Sequence, residues 1–345
     1  MPKRFFFILP FFGLLLSSCG QNSLSLAKVF VYDASDEFIQ TFSNALKEKL
    51  ETKGHEVEVF DAARKQSLQN SQIVAAIEDN SKNPLFVNIV DRLSASVLIE
   101  KAESCDTPLL FVNREPLLED LLHSDWSKKN VYYCGADSDY QGQAQAEIAD
   151  TLFGGVHSFP QSKYDKNGDG KIQIALFRGE LGHQDAEHRS KSSLGSLARL
   201  GYRTELVSVT YGNWERKEGY QEMDRLLAHG TSIELLLSNN DAMALGAIDR
   251  LLEEVQKDDS SSNALPFRER FFPIIGVDGT SQGIEAVKKE TLSGTVLNDA
   301  SLQTEILSDL YSHFVDGQEM PSYGEAVSKS GNIYRVRGRK IVSEQ

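Results

Sequence analysis

What most constrains this chain is the alternation of short apolar runs with helix-period segments, which begins near residue 29, breaks off, and begins again near residue 173. In the first run, strands are predicted at 29–32, 56–60, 84–90, 109–112 and 131–135, with helices at 37–52, 68–80 and 94–102 between them. In the second, strands at 173–178, 204–209, 233–238, 273–277 and 294–297 alternate with helices at 184–199, 217–228, 240–255, 281–289 and 300–316. Strands separated by helical patterns form βαβ units, so the sheets are parallel and carry helices on both faces. Two such runs predict an α/β protein of two doubly wound, Rossmann-like lobes, and 345 residues suffice for two domains of about 150 residues each. Ligands of such sheets bind beyond the carboxyl ends of the strands, which singles out the residues found there.

Those strand ends are polar or aromatic almost without exception. They carry Tyr32, Asp36 and Phe38; Asn113, Arg114 and Glu115; His183, Asp185 and Arg189; Trp214; Asn239, Asn240 and Asp241; Asp278; and Asn298 and Asp299. Each Asp or Asn taken alone is well explained as a helix N-cap, and a lone aromatic as core. As a set they face one shared cleft, and the set has a chemical logic. A pyranose presents apolar C–H faces to aromatic rings and a rim of hydroxyls that both donate and accept. Alternating carboxylates with Asn or Arg matches vicinal hydroxyls. A phosphate site would need Gly-rich N–H cradles and more cations.

Between the two runs lies Asp165-Lys166-Asn167-Gly168-Asp169-Gly170-Lys171-Ile172-Gln173. Asp165, Asn167 and Asp169 occupy loop positions 1, 3 and 5, Lys171 offers a backbone carbonyl at 7, and Gln173 stands at 9, the order of oxygen ligands in a Ca2+ loop. Position 12 is Leu176, inside a predicted strand, so the usual bidentate carboxylate must come from elsewhere. The competing explanation is a polar Asp/Asn/Gly turn.

The N-terminus reads as a targeting segment. Lys3 and Arg4 precede an apolar run too short to span a bilayer, which ends in Leu16-Ser17-Ser18-Cys19-Gly20. That ending resembles the lipobox of bacterial lipoproteins, which implies a signal peptide over 1–18, lipidation (palmitate) at Cys19 and a tether over 19–27. Several acyl chains would hold the protein on a membrane surface. The formal net charge of −14 excludes a basic nucleic-acid footprint. Pairing of Cys105 with Cys134 does not follow from sequence, and two small buried hydrophobes are the expectation.

The chain resembles, over nearly all of its mature length, the type I periplasmic binding proteins of bacterial glucose/galactose ABC transporters. The match rests on the Asp165–Gln173 loop, Gly182-His-Gln-Asp-Ala-Glu-His-Arg189, Ser238-Asn-Asn-Asp-Ala-Met-Ala-Leu-Gly246, Gly276-Val-Asp278 and Gly294-Thr-Val-Leu-Asn-Asp-Ala300. The resemblance implies that Phe38 and Trp214 stack on the two sugar faces. It implies that Asp36, Asn113, Arg114, His183, Asp185, Arg189, Asn240, Asp278 and Asn298 bind hydroxyls or ring oxygen, with Tyr32 lining the cleft. It also implies a structural Ca2+ held by Asp165, Asn167, Asp169, the Lys171 carbonyl and Gln173, with Glu234 supplying the missing carboxylate.

Two departures stand out: Arg114 replaces the family's usual Lys, and residues 153–164 have no clear match. The implied hinge has three segments, dividing the chain into an N-terminal lobe of 28–136 plus 299–329 and a C-terminal lobe of 137–298 plus 330–345. The implied function is a monomeric, non-enzymatic receptor that faces the periplasm, closes on a monosaccharide and delivers it to a permease, with a chemoreceptor as a second partner. A sugar-responsive repressor would need a basic DNA-binding segment. A sugar-active enzyme would use Asp36, Asp185 or Asp278 as acid and base. Zinc at His183 and His188 is set aside, because a spacing of five splits the two rings between helix faces.

Overall fold

A computed structural model describes residues 25–79, 82–257 and 266–343. The expected signal, Cys19 and most of the tether lie outside the described residues. In the first run, β1 (Leu26–Val31), β2 (Glu56–Asp61), β3 (Leu85–Val87), β4 (Leu109–Val112) and β5 (Val131–Ala136) alternate with α1 (Glu37–Thr52), α2 (Gln66–Glu78), α3 (Ala95–Cys105) and the one-turn helices α4 (Leu118–Leu121) and α5 (Ser127–Asn130). A long helix, α6 (Ser138–Phe153), then leads to β6 (Ile172–Arg178), α7 (Gln184–Arg199), β7 (Thr204–Tyr211), α8 (Arg216–Ala228), β8 (Leu235–Ser238) and α9 (Asp241–Lys257). After α10 (Phe267–Arg270) follow β9 (Ile274–Ile275), α11 (Ser281–Lys288), β10 (Thr295–Val296), α12 (Ala300–Asp316), β11 (Val327–Ser330), β12 (Ile333–Val336) and β13 (Lys340–Ile341).

The first sheet has the order β11-β12-β5-β4-β3-β1-β2, parallel except for the β11–β12 hairpin. The second has the order β7-β6-β8-β9, all parallel, and is extended by bridges to the short β10–β13 pair. Period-two side-chain alternation puts each sheet between two apolar layers. Val29 and Val31 join α1 and α12 on one face, while Phe30 joins α2 and α3 on the other. In the second lobe Ile174 and Leu176 pack with α6 and α7, and Ala175 and Phe177 with α8 and α9.

Three corrections follow. Leu26 and Ala27, expected in the tether, open β1, and Ala27 is fully buried. Residues 330–345 were expected in the second lobe, yet Ile333–Val336 pairs in parallel with Tyr133–Ala136, because β5 would otherwise leave a bare edge. The third crossing therefore falls after Val336, and only β13 returns to the second lobe. The sequence reading also missed α6, whose buried face is mostly small or polar, from Gln141, Gly142, Ala144, Gln145, Ala146 and Ala149, with Ile148 and Phe153 its large apolar residues. Gly142 is required there: a Cβ would stand 2.4 Å from the Arg189 carbonyl oxygen, so only Gly lets α6 lie against α7. Residues 153–164 form an aromatic plug, with Phe153 against the rings of Phe159, Tyr164 and Tyr202 at 4.9, 5.5 and 5.9 Å.

Candidate functional site between the lobes

The carboxyl ends of both sheets meet at a cavity of about 580 Å³, part of it open to solvent. All twelve residues singled out above line it: Tyr32, Asp36, Phe38, Asn113 and Arg114 from the first lobe, His183, Asp185, Arg189, Trp214, Asn240 and Asp278 from the second, and Asn298 from the crossing. Glu37, Ala242 and Thr280 complete the lining and were not anticipated. Thr280 caps α11 two residues after Asp278, a signal the sequence did offer. Three strand-end acids lie elsewhere, and of these Asp299 caps α12, accepting from Leu302 N at 3.0 Å. Glu115 pairs with Arg335, and Asp241 is buried behind the wall, accepting from Thr280 N at 2.9 Å and Thr295 Oγ1 at 2.7 Å. Burial pushes the Asp241 carboxyl up to about 7.

Several of these side chains cap a helix and also line the cavity. Asp36 Oδ1 caps α1 by accepting from Ile39 N at 2.9 Å, while Oδ2 accepts from the Tyr32 hydroxyl at 2.6 Å. His183 caps α7, its Nδ1 accepting from Asp185 N at 3.2 Å. The ring proton must then sit on Nε2. Burial and the nearby Arg114 and Arg189 hold His183 well below its usual range, so it is a neutral donor. Asn240 Oδ1 accepts from Met243 N at 3.0 Å, and its Nδ2 donates to the Trp214 carbonyl at 2.9 Å.

Arg189 is a buried cation of the second lobe. It donates to Gln141 Oε1 and the Asn239 carbonyl at 2.8 Å each, and lies 3.5 Å from Asp185 and 3.8 Å from Asp278. Ser138 also donates to Asp185. The missed helix α6 thus carries Gln141 and Ser138, two groups that orient the site. Desolvation, with Asp241 and Asp36 nearby, holds the Asp278 carboxyl well above the usual range although Arg189 opposes it.

Asn113, Trp214 and Asp278 have φ of 59°, 69° and 112°. Left-handed backbone at non-glycine residues costs about 1–3 kcal/mol each and is typical of ligand sites. Neighbours impose it at Trp214. Gly179 leaves room for the indole, where a Cβ would come within 2.1 Å of the ring, and the His183 ring packs edge-on at 5.0 Å. Arg114 lies in the cavity wall with both terminal nitrogens engaged. Nη1 donates to the Val90 carbonyl and Nη2 to Glu180, each at 2.6 Å, and the guanidinium stacks 3.9 Å over Tyr32.

The Asp165–Gln173 loop is folded on itself. Asp165 Oδ2 accepts from Gly170 N, Asn167 Oδ1 from Asp169 N, and Asp169 Oδ1 from Lys171 N. Glu234, fully buried, reaches the loop as expected, accepting from Lys166 N at 2.6 Å and Gln173 N at 3.3 Å. Asp165 Oδ1 and Gln173 Oε1 are buried without partners, which fits a hard-oxygen cation site. Among the described residues, however, no group of three or more His, Cys, Asp or Glu side chains converges as a metal cluster. Cys105 and Cys134 are free, with only Cys134 buried.

Comparison with known proteins agrees with this architecture. The model of the periplasmic binding protein domain matches residues 27–319. The chain is 30% identical over 293 residues to the D-galactose/methyl-galactoside binding periplasmic protein MglB of Haemophilus influenzae, covering 84% of this chain and 81% of that one. A putative rhizopine-binding protein of Rhizobium meliloti is 27% identical over 84% of this chain and 83% of its own length. Among solved structures, an ABC transporter periplasmic solute binding protein from Actinobacillus succinogenes with bound D-allose superimposes with a TM-score of 0.73 at 17% identity, covering 93% of this chain and 98% of that one. One from Bacillus halodurans with bound myo-inositol gives 0.72 at 23% identity, over 94% of this chain and 96% of that one. The fold and site define a two-lobed binding protein rather than an enzyme, and this chain belongs to the periplasmic binding protein domain family. No helix among the described residues is long and apolar enough to cross a membrane.

Proposed function

We propose that this protein is the substrate-binding lipoprotein of a sugar ABC transporter and takes D-galactose or D-glucose in the inter-lobe cavity. The observation that carries the reading is the assembly of twelve separately placed strand-end residues around one cavity, with Phe38 and Trp214 from opposite lobes among them. Trp214 and Phe38 sandwich the ring. Asp36, Asp185 and Asp278 accept from hydroxyls, while Asn113, His183, Arg189, Asn240 and Asn298 donate. The galactoside named for the Haemophilus relative supports a hexose. The loop with Glu234 holds a structural Ca2+, supported by its two partnerless buried oxygens. Lipidated Cys19 tethers a monomer facing the periplasm, where its closed form docks on a permease or, as a pure sensor, on a chemoreceptor.

A second reading keeps the receptor and changes the ligand to another polyhydroxylated ring. The engaged terminal nitrogens of Arg114 favour it, and the allose and myo-inositol named for the solved neighbours are candidates. Isothermal titration with galactose, glucose, ribose and myo-inositol tests both. Micromolar or tighter hexose binding with ribose silent is expected. Folded, sugar-free protein that gives no heat with either hexose would remove the first reading.

A further inference from the structure

Among the described residues, two ion pairs reach across the cleft. In each the base belongs to the first lobe, and the acid stands within a few residues of a cavity side chain of the second. Arg114 Nη2 meets Glu180 Oε2 at 2.6 Å, and Glu180 lies three residues before His183. Arg64 Nη2 meets Glu215 Oε1 at 2.8 Å, and Glu215 directly follows Trp214. We propose that Glu180 and Glu215 are positioning residues that clasp the lobes shut and set the rate of sugar release, so that release depends on salt although the ligand is uncharged. The inference rests on the receptor reading above and adds residues that the cavity lining does not contain.

The two clasps differ in strength for physical reasons. Arg114 is only 5% exposed and is held within its own lobe by Tyr32 and the Val90 carbonyl, so its fork is already oriented when the lobes meet. Charge-assisted bonds to such an oriented, desolvated guanidinium are about twice as strong as neutral ones. A neutral contact reinforces this side, as Gln184 Nε2 donates across the cleft to the Asn113 carbonyl at 2.7 Å. Arg64 and Glu215 are each about half exposed, at 51% and 50%, and such pairs are weak and strongly screened. Arg64 is nonetheless pre-aimed: its φ is 61°, its backbone N donates to the Tyr32 carbonyl at 2.7 Å, and its Nε bonds Asp33. The clasp beside Trp214 therefore tunes release, and the clasp beside His183 dominates it.

The test is stopped-flow release of D-galactose or D-glucose from the full chain, followed by tryptophan fluorescence at low and high KCl. Glu180→Gln is expected to release sugar about tenfold faster at low salt and Glu215→Gln about twofold faster. The double variant should lose the salt dependence. Association should change by less than about twofold, since contacts formed after encounter act on release. A wild-type release rate indifferent to KCl, or a double variant that releases at the wild-type rate, overturns the proposal. If neither hexose binds, the ligand reading has failed and small-angle scattering of the sugar-free protein decides. A radius of gyration that grows with KCl, and is already larger in the double variant, supports the clasps; an unchanged radius overturns them.

Discussion

The inter-lobe cavity and the Asp165–Gln173 loop were equally conspicuous in sequence, yet they are held together in different ways. The cavity draws residues from seven separate strand ends, and the sheets behind them fix where each one points. The loop is one contiguous segment whose carboxylates accept from its own backbone amides. Glu234, just before β8, ties it to the core, together with Ile172, buried at the start of β6, and Arg203, which donates to the Asp169 carbonyl at 2.9 Å. A site built on strand ends inherits the rigidity of two sandwiched sheets, whereas a loop inherits little beyond its own turns. The expectation is that binding depends on the cavity, and stability on the loop.

That contrast can be broken or sharpened. Trp214→Ala should weaken hexose binding by about a hundredfold through lost face stacking and area, and an unchanged titration curve would take Trp214 out of the site. Chelation of Ca2+ should lower the melting temperature by about 5–10 °C, as for a ligand present at about a hundred times its dissociation constant. Hexose affinity should stay within about twofold of its starting value. Loss of all binding in chelator, with the circular dichroism spectrum intact, would break the division between the two regions.

Asp241 gives a third test. Its carboxyl is held at about 7, above the ordinary 3.8, so the folded state binds its proton more tightly than the unfolded chain. That contribution is complete below the unfolded value and is lost as pH rises toward 7, so stability falls by about 4 kcal/mol across that window. Urea unfolding of Asp241→Asn should show a flatter profile, and an unaltered slope would assign the fall to other groups. The smallest effect is expected for Arg114→Lys. A flexible point charge should shift the ratio of glucose to galactose affinity by about threefold, measured by paired titrations.

The sequence made most of the architecture legible because both lobes use strongly periodic elements. The helices expected at 184–199 and 300–316 match α7 and α12 end for end. Site residues were legible for the same reason, since each follows a strand whose end the pattern marks. What was hidden lay where packing is polar or small. Helix α6 buries Gln141 and Gln145, and Gln145 Nε2 bonds the Ser238 carbonyl at 2.8 Å, so the apolar signal of Ile148 and Phe153 on its inward face is diluted. Strands β11 to β13 run only two to four residues, too short for alternation to show. The engagement of Arg114 by Glu180 and Val90 could not be read either, because it depends on how two lobes meet.

Strand β12 has one more consequence. It fills the place beside β5 in the sheet that the chain begins first, yet it lies at Ile333–Val336, after every strand of the second lobe except β13. A chain made from its N-terminus completes β6 to β9 of the second lobe while the first still lacks its closing strands and α12. The lobe that starts first is finished last. Until the final stretch arrives, the chain stays partly open, with β5 presenting a bare edge. A premature stop before β12 would therefore cripple the lobe farthest from it in sequence, leaving an aggregation-prone template rather than a receptor missing its tail.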